Sequence, residues 1–190
     1  MRELSLNVLD IAQNSIAAGA NLVAIMVEED TAADRLTIRI EDDGRGMTPE
    51  QVERVRDPFY TTRTTRKMGM GIPLFRMAAE MAGGGLEIVS ESGRGTCVTA
   101  TFGLSNIDRM PLGDMAGTMA ALIRLNPQID FLYRRRRDGR EEALDTRELR
   151  QVLGDVPLDQ PDVREWVNGA LEELESAVRN TQVYTEKYGG

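Results

Sequence analysis

The sequence predicts a two-layer α/β sandwich rather than a doubly wound parallel sheet. Helical and strand-like segments follow one another in the order helix, two strands, helices, two strands, which lacks the strict alternation of a doubly wound fold. The 190 residues fit one full domain and a smaller unit. With 41% hydrophobic and 28% charged residues, the composition is that of a soluble globular protein.

The predicted first domain, residues 1–104, begins with an amphipathic helix over residues 3–18. Apolar residues cover a broad arc of this helix, Asp10 and Asn14 fall on its polar side, and Gly19 ends it. Hydropathy and turn signals then predict strands at 21–29 and 35–42, a short helix at 49–55, an irregular stretch at 57–71, a helix at 72–82, and paired strands at 85–92 and 96–103.

Residues 105–190 form a predicted small αββαα unit, an interaction or dimerisation module. A helix comes first, and a hairpin follows whose Asp138 and Gly139 suit a two-residue turn. Two helices complete the unit, and residues 181–190 are expected to form a loose tail. The last helix carries Trp166 in an apolar stripe, which we assign to the core, with docking or dimerisation as the alternative.

Composition narrows the class of partner. The formal charge of −8 and the pI near 4.8 argue against nucleic acid and against anionic membrane surfaces, so the expected partner is a small molecule or a protein. The sequence has no membrane-length apolar run and no signal-peptide core, and its single cysteine, Cys97, cannot form an internal disulfide. These features predict a cytoplasmic protein.

The absence of histidine restricts the chemistry. It excludes metal sites and nucleophilic catalysis that depend on histidine, and also histidine autophosphorylation. The sequence has no GxxxxGK[ST] motif, and its glycine pairs lack the spacing and context of a dinucleotide-binding fold. A bound nucleotide would therefore need a different architecture.

Three segments are candidates for that role. In "EDDGRGM", Asp42 ends a strand and could accept a hydrogen bond from an exocyclic amine such as that of adenine, while Gly44 and Gly46 would let the backbone approach a flat ring. The alternative is an ordinary surface turn.

The second segment, "FYTTRTTRKMGMGIPL", is basic and contains no acid. Its Gly69 and Gly71 directly precede a helix, so backbone N–H groups and the cations Arg63 and Lys67 could bind phosphate. The alternative is a solvated connection, although the segment is long for one.

The third candidate is the helical pair Asp10 and Asn14, which lie one turn apart and can reach a common target. The amide oxygen suits Mg²⁺, and the carboxylate could orient a water molecule for attack on a γ-phosphate. The alternative is the solvated side of an amphipathic helix.

Taken in order, these motifs and the late "GRGTCVTATF" resemble the GHKL superfamily of gyrase, heat-shock chaperone, histidine kinase and MutL ATPases. The whole chain resembles stand-alone histidine-kinase-like ATP-binding proteins of anaerobic bacteria. The resemblance implies the Bergerat type of α/β sandwich, with ATP and Mg²⁺ as ligands. It implies that Asn14 holds Mg²⁺, that Asp42 binds the adenine amine with support from Thr96, and that Asp10 is catalytic. The other nucleotide-binding positions that it implies are Gly44, Gly46, Met47, Thr62, Arg63, Lys67, Gly69, Met70 and Gly71.

Two departures from that pattern bear on activity. Hydrolysing members usually have glutamate at the position of Asp10, and the shorter side chain predicts slow turnover. The phospho-accepting helix and its histidine are missing, so the sequence is not that of a complete sensor kinase. We therefore expect a slow ATPase that acts as a nucleotide-controlled switch. It would either control a protein partner or form a homodimer. The alternatives are a protein kinase acting in trans, like anti-sigma-factor kinases, and a non-catalytic nucleotide sensor.

The four arginines at 134–137 are predicted to pair with acids rather than with nucleic acid. Across a turn at Asp138 and Gly139, Arg136 faces Glu141 and Arg135 faces Glu142.

Overall fold

The computed structural model describes residues 2–57 and 70–180 of the chain. Its helices are α1 (Leu4–Ala17), α2 (Pro49–Arg56), α3 (Gly71–Met81), α4 (Met115–Leu125), α5 (Thr146–Leu153) and α6 (Pro161–Arg179). Its strands are β1 (Leu22–Asp30), β2 (Arg35–Asp42), β3 (Gly85–Glu91), β4 (Gly95–Gly103), β5 (Asp130–Arg137) and β6 (Arg140–Asp145). The order of elements is the predicted one. The predicted loose tail at 181–190 lies outside the described residues.

The six strands form a single mixed sheet in the order β3-β4-β2-β1-β5-β6. All neighbouring pairs are antiparallel except β1 and β5, which run parallel. The register places Asp42, at the end of β2, directly opposite Thr96, at the start of β4. Two residues far apart in the chain therefore meet at one end of neighbouring strands.

Helices cover one face of this sheet, which confirms the two-layer α/β sandwich. On β1 and β2, buried residues alternate with more exposed ones, so one set of side chains packs under the helices. Helix α1 contacts both α3 and α4, and α4 packs against α6. Along α1, Leu4, Val8, Ile11 and Ala12 are buried, and this apolar face explains why the segment docks as a helix.

The segment between β4 and α4 provides hydrogen-bond acceptors for the first residues of α1. Helix α1 has no side-chain cap, and its first N–H groups lack partners within the helix. Instead, Leu4 N donates to Pro111 O and Ser5 N donates to Leu112 O, both at 2.9 Å. A segment from the C-terminal half of the chain therefore completes the helix that carries Asp10 and Asn14.

Residues 105–180 supply the predicted αββαα elements and extend the same sheet through the pairing of β5 with β1. Phe131 of β5 and Leu171 of α6 belong to the same hydrophobic core as Val8 of α1. The division of the chain into two units near residue 104 stays a prediction. The assignment of Trp166 to the core is wrong, because its side chain faces outward and remains 57% exposed while Val163 and Val167 on the same helix are buried.

The hairpin of β5 and β6 turns at Asp138 and Gly139, which both have positive φ, and its register is the predicted one. Arg136 contacts Glu141 as expected. The pairing of Arg135 with Glu142 is wrong, because the Arg135 side chain points into the helical layer and is only 1% exposed. It pairs there with Glu29 at 2.7 Å and with Glu175 of α6 at 3.3 Å. No helix within the described ranges is both long enough and apolar enough to cross a membrane.

Candidate functional site

A cavity of about 180 Å³ lies between α1 and the adjoining ends of β2 and β4, with α2 and α3 at its sides. Its walls are mainly apolar and come from all five elements. They include Ile11, Ile40, Val55, Ile72 and Val98. The polar groups that line it are Asn14, Ser15, Asp42, Arg45 and Thr96. A mainly apolar pocket with a few fixed polar groups is the usual form of a small-molecule site.

The carboxylate of Asp42 is the most firmly held polar group in this cavity. Ser15 Oγ donates to Asp42 Oδ2 at 2.6 Å, and the Gly44 N–H donates to Asp42 Oδ1 at 2.9 Å. Ser15 is 3% exposed, so its hydrogen bond is shielded from water. Each carboxylate oxygen has one donor and keeps further acceptor capacity, which makes Asp42 a fixed acceptor for a ligand N–H group.

Two glycines bring the loop after β2 against the hairpin of β3 and β4. A β-carbon on Gly46, which has φ +66°, would overlap the carbonyl oxygen of Glu91. A β-carbon on Gly95, with φ +112°, would overlap the carbonyl oxygen of Asp42. Neither overlap can be relieved by rotating a flexible side chain, because backbone atoms are involved. These positions therefore require glycine, and the close backbone approach holds the loop after β2 against β3 and β4 beside the cavity.

Behind Thr96 lies a small hydroxyl network. Ser90 Oγ lies 2.8 Å from Thr96 Oγ1, accepts a hydrogen bond from Met47 N at 2.8 Å and donates to Gly95 O at 3.0 Å. Either hydroxyl can donate in the Ser90–Thr96 pair, and in both cases the Thr96 oxygen keeps a free lone pair. Thr96 Oγ1 then keeps an acceptor position in the cavity opposite Asp42.

The first turn of α3 lies beside the polar side of α1. A β-carbon placed on Gly71 would lie 3.4 Å from Asp10 Cβ and 3.7 Å from Asn14 Nδ2. Met70 occupies the N-cap position without a side-chain cap, so the first N–H groups of this helix have no side-chain acceptor from that residue. The partial positive charge of a helix N-terminus therefore lies next to Asp10 and Asn14.

Asp10 borders the site without lining the cavity. Partial burial raises the pKa of its carboxyl above the ordinary value of 3.8, because burial disfavours the charged form. Within residues 2–57 and 70–180, no hydrogen bond or ion pair occupies this carboxylate. The same ranges contain no cluster of three or more His, Cys, Asp or Glu side chains that could hold a metal ion.

The sequence-predicted residues fall into three groups. Asn14, Asp42, Gly46, Met47 and Thr96 line the cavity, and Gly44 contacts it through its hydrogen bond to Asp42. Asp10, Met70 and Gly71 lie at its edge, where α3 begins. Thr62, Arg63, Lys67 and Gly69 lie outside the described residues.

The structure adds four residues that the sequence prediction missed, namely Ser15, Arg45, Ser90 and Gly95. For Ser15 and Ser90 the signal was weak, since serine suits a polar helix face or an exposed strand equally well. Gly95 gave a better signal, because a glycine at the start of a strand often marks a close approach of two backbones.

Comparison with known families identifies one family whose profile covers the part of the chain that forms this site. The sequence profile of the family described as "Histidine kinase-, DNA gyrase B-, and HSP90-like ATPase" matches residues 1–106. All the cavity-lining residues fall within that range.

Individual relatives include the sensor protein SrrB of Staphylococcus aureus, in strains such as NCTC 8325 and COL. It is 36% identical over 101 residues, which cover 50% of this chain and 17% of SrrB. The chain thus spans about a sixth of the length of these relatives. A solved structure, the N-terminal domain of a DNA repair protein, superposes with a TM-score of 0.53 at 17% identity, over 76% of this chain and 53% of that one. This likeness supports the fold.

Proposed function

Since the chain belongs to the histidine kinase-, DNA gyrase B- and HSP90-like ATPase family, which binds ATP and has kinase- or ATPase-type activity, we propose that its cavity binds ATP with Mg²⁺ and hydrolyses it slowly. We further propose that the bound nucleotide controls the interaction of this chain with a protein partner. The observation that carries the proposal is Asp42, a carboxylate held by two donors inside a mainly apolar cavity.

Adenine suits this arrangement chemically. Its exocyclic amine is a donor that needs an acceptor, and Asp42 and Thr96 present acceptor oxygens side by side on β2 and β4. The faces of the base are apolar enough to pack against neighbouring side chains of the sheet such as Ile40 and Val98. A cavity of about 180 Å³ is small for a whole ligand, so it suits a base whose phosphates extend outside it.

The phosphates would extend towards the start of α3. There, backbone N–H groups and the helix dipole favour an anion, next to Gly71 and Asn14. Thr62, Arg63, Lys67 and Gly69 complete the proposed phosphate contacts. Mg²⁺ in nucleotide sites is often held by phosphates and a few protein oxygens, which agrees with Asn14 as its proposed protein ligand and with the absence of a carboxylate cluster from the described residues.

Asp10 is the proposed general base. Its carboxylate borders the phosphate region, has no partner among the described residues and has a raised pKa, which suits a group that accepts a proton from water. Aspartate has a shorter reach than glutamate, so we expect slow turnover.

Nucleotide contacts could control a partner through the residues between α2 and α3. Val55 of α2 and Ile72 of α3 both line the cavity. A ligand in the cavity would therefore contact the helix before residues 58–69 and the helix after them. A rearrangement of that segment on binding would change the surface offered to a partner. A cytoplasmic location, where ATP is available and thiols such as Cys97 stay reduced, belongs to the same proposal.

One experiment separates this function from its alternatives. The purified protein is incubated with γ-labelled ATP and Mg²⁺, with and without a cell lysate, while free phosphate and labelled protein are measured and calorimetry records binding. Slow release of free phosphate supports the proposed ATPase. A labelled lysate protein would instead support a kinase acting in trans, and binding with neither product would support a sensor. Absence of ATP binding would overturn the proposal.

A further inference from the structure

A second and larger cavity lies at the edge of the sheet formed by β6, where α5 and α6 pack beside it. It measures about 670 Å³ and is an open groove. Its apolar walls come from both helices, and they include Leu149, Val152, Leu153, Trp166, Ala170 and Leu174. None of these residues lines the nucleotide cavity.

The groove leaves large apolar side chains in contact with solvent. Val152 is 85% exposed and Trp166 is 57% exposed. Along α6, Trp166, Ala170, Leu174 and Ala177 follow one another at helical spacing and form one wall. From the rise of 1.5 Å per residue, this stripe is about 16 Å long, or about three helical turns. Within this stripe Leu174 is only 6% exposed, so the solvent-exposed apolar surface is concentrated at Trp166 and, on the α5 wall, at Val152. A large exposed apolar side chain on each wall of a groove is typical of an interaction site.

The charged side chains that line the groove are all acidic, and Arg147 lies beside them. Four of its lining residues are acidic, namely Glu142, Asp145, Glu148 and Glu173, and none is lysine or arginine. Asp145 is paired with Arg147, at 2.7 Å. Within the described part of the chain, the side chains of Glu142 and Glu173 make no hydrogen bond or ion pair. We call the four acidic residues the acidic rim of the groove. Because Glu142 and Glu173 have no cationic partner there, the acidic rim should attract a cation beside the apolar walls.

We propose that this groove binds a basic amphipathic helix of a partner protein. The length and apolar character of the α6 stripe fit the apolar face of a helix about three turns long, and the acidic rim complements lysine or arginine on its flanks. A second copy of this chain fits poorly. The chain carries a net charge of −8, and a two-fold dimer through the groove would set the acidic side chains of one copy against the same acidic surface of the other.

The sequence contains one tryptophan, Trp166, and it lies in the groove, so its fluorescence reports occupancy directly. The probe is a synthetic peptide of about 14 residues with leucine at positions i, i+4, i+7 and i+11 and lysine on the flanks. We expect a saturable blue shift of the Trp166 emission, a gain of helical circular dichroism in the peptide, and weaker binding at high salt. A scrambled peptide of the same composition tests for attraction by charge alone, and a peptide with glutamate on its flanks tests the charge preference.

Two substitutions on the protein sharpen the test. Val152→Lys places a charge in the groove at a highly exposed position, and we expect peptide affinity to fall at least about tenfold. Ile107→Lys adds the same charge at a position that is 96% exposed and outside the groove, and it should leave the affinity within about twofold. Glu173→Lys should weaken the basic peptide about fivefold and improve binding of the acidic one.

The proposal is overturned if the scrambled peptide binds as well as the patterned one, if Val152→Lys binds like the parent, or if the bound peptide gains strand rather than helix signal. Light scattering that shows a dimer disrupted by Val152→Lys would assign the groove to a second copy and would also overturn it. None of these measurements includes nucleotide, so the outcome is independent of the proposed ATP site.

Discussion

Ser15, on the buried side of α1, donates a 2.6 Å hydrogen bond to the carboxylate of Asp42 at the end of β2. This contact joins the helical layer to the sheet inside the candidate nucleotide cavity. With the Gly44 N–H on the other carboxylate oxygen, it fixes the plane in which Asp42 can accept from a ligand. Ser15 is therefore a positioning residue in the proposed site.

Ser15→Ala should weaken ATP binding about tenfold, because Asp42 then loses one of the two donors that orient it. Isothermal calorimetry measures the affinity, and circular dichroism checks the fold. Ser5→Ala is the matched control, since Ser5 is also buried on α1 but donates to Glu3 away from the cavity. Equal losses in both variants would mean that the effect is structural.

Asp42→Asn tests the adenine contact itself. The amide can present a donor to the adenine amine, and an unpaired polar group in the cavity costs about 1–3 kcal/mol, so ATP should bind roughly 5- to 150-fold more weakly. Asp43→Asn is the control, because Asp43 contacts the N–H groups of Asn21 and Leu22 instead. Calorimetry should also show that the parent prefers ATP to GTP. Equal affinities for the two nucleotides would remove the adenine assignment.

The strand and helix positions could be predicted because local signals agree with the final packing. The apolar arc of α1 and the turn at Asp138 and Gly139 are each set by a few neighbouring residues. Asp42, Gly44 and Gly46 could be predicted as site residues for the same reason, since they lie together in the short motif "EDDGRGM".

Contacts between distant parts of the chain were harder to predict. Arg135 faces Glu142 in register, yet its side chain turns to the helical layer because Glu29 and Glu175 offer buried carboxylates there. Trp166 lies in an apolar stripe, and only the packing of α5 and α6 shows that it faces a groove rather than the core. Neither arrangement leaves a signal in local periodicity.

Substitutions of Asn14 and Asp10 should separate binding from chemistry. Asn14→Ala removes the proposed metal ligand and should abolish the Mg²⁺-dependent part of ATP affinity. Asp10→Asn keeps the size of the side chain but removes the base, so binding should persist while phosphate release falls by about 10²- to 10⁴-fold.

Asp10→Glu completes this test, because the longer side chain should speed hydrolysis if reach limits the natural protein. Calorimetry and a phosphate-release assay follow the three variants. If Asp10→Asn hydrolyses ATP like the parent, the carboxylate belongs to the solvated side of α1, and the role of general base is lost.

The pH dependence of hydrolysis gives an independent test of Asp10. Burial raises its pKa above 3.8, and a base must be ionised, so activity should fall on acidification at a higher pH than for an ordinary aspartate. The folded state takes up this proton more readily than the unfolded chain does. Asp10 therefore favours folding at low pH, and that contribution is lost as the pH rises through the raised pKa. The decline in activity should precede any acid unfolding, and Asp10→Asn should lack this limb of the pH–rate profile.

The neighbouring arginines Arg135 and Arg136 should differ sharply in their effect on stability. Arg135 is 1% exposed and links Glu29 of β1 to Glu175 of α6, which also accepts a hydrogen bond from Tyr133. Burial, together with this nearby carboxylate, raises the pKa of the Tyr133 phenol. Arg135→Ala leaves the Glu175 carboxylate buried with a weakened set of partners, which should lower the free energy of unfolding by about 3–5 kcal/mol.

Arg136→Ala is the matched control for that loss. The Arg136 side chain is 43% exposed, and its pairs with Glu28 and Glu141 are screened by water, so its removal should lower the free energy of unfolding far less than removal of Arg135 does. Urea unfolding followed by circular dichroism measures both variants against the parent. A similar small loss in both would mean that the cluster around Arg135 is hydrated in solution and does not fasten α6 to the sheet.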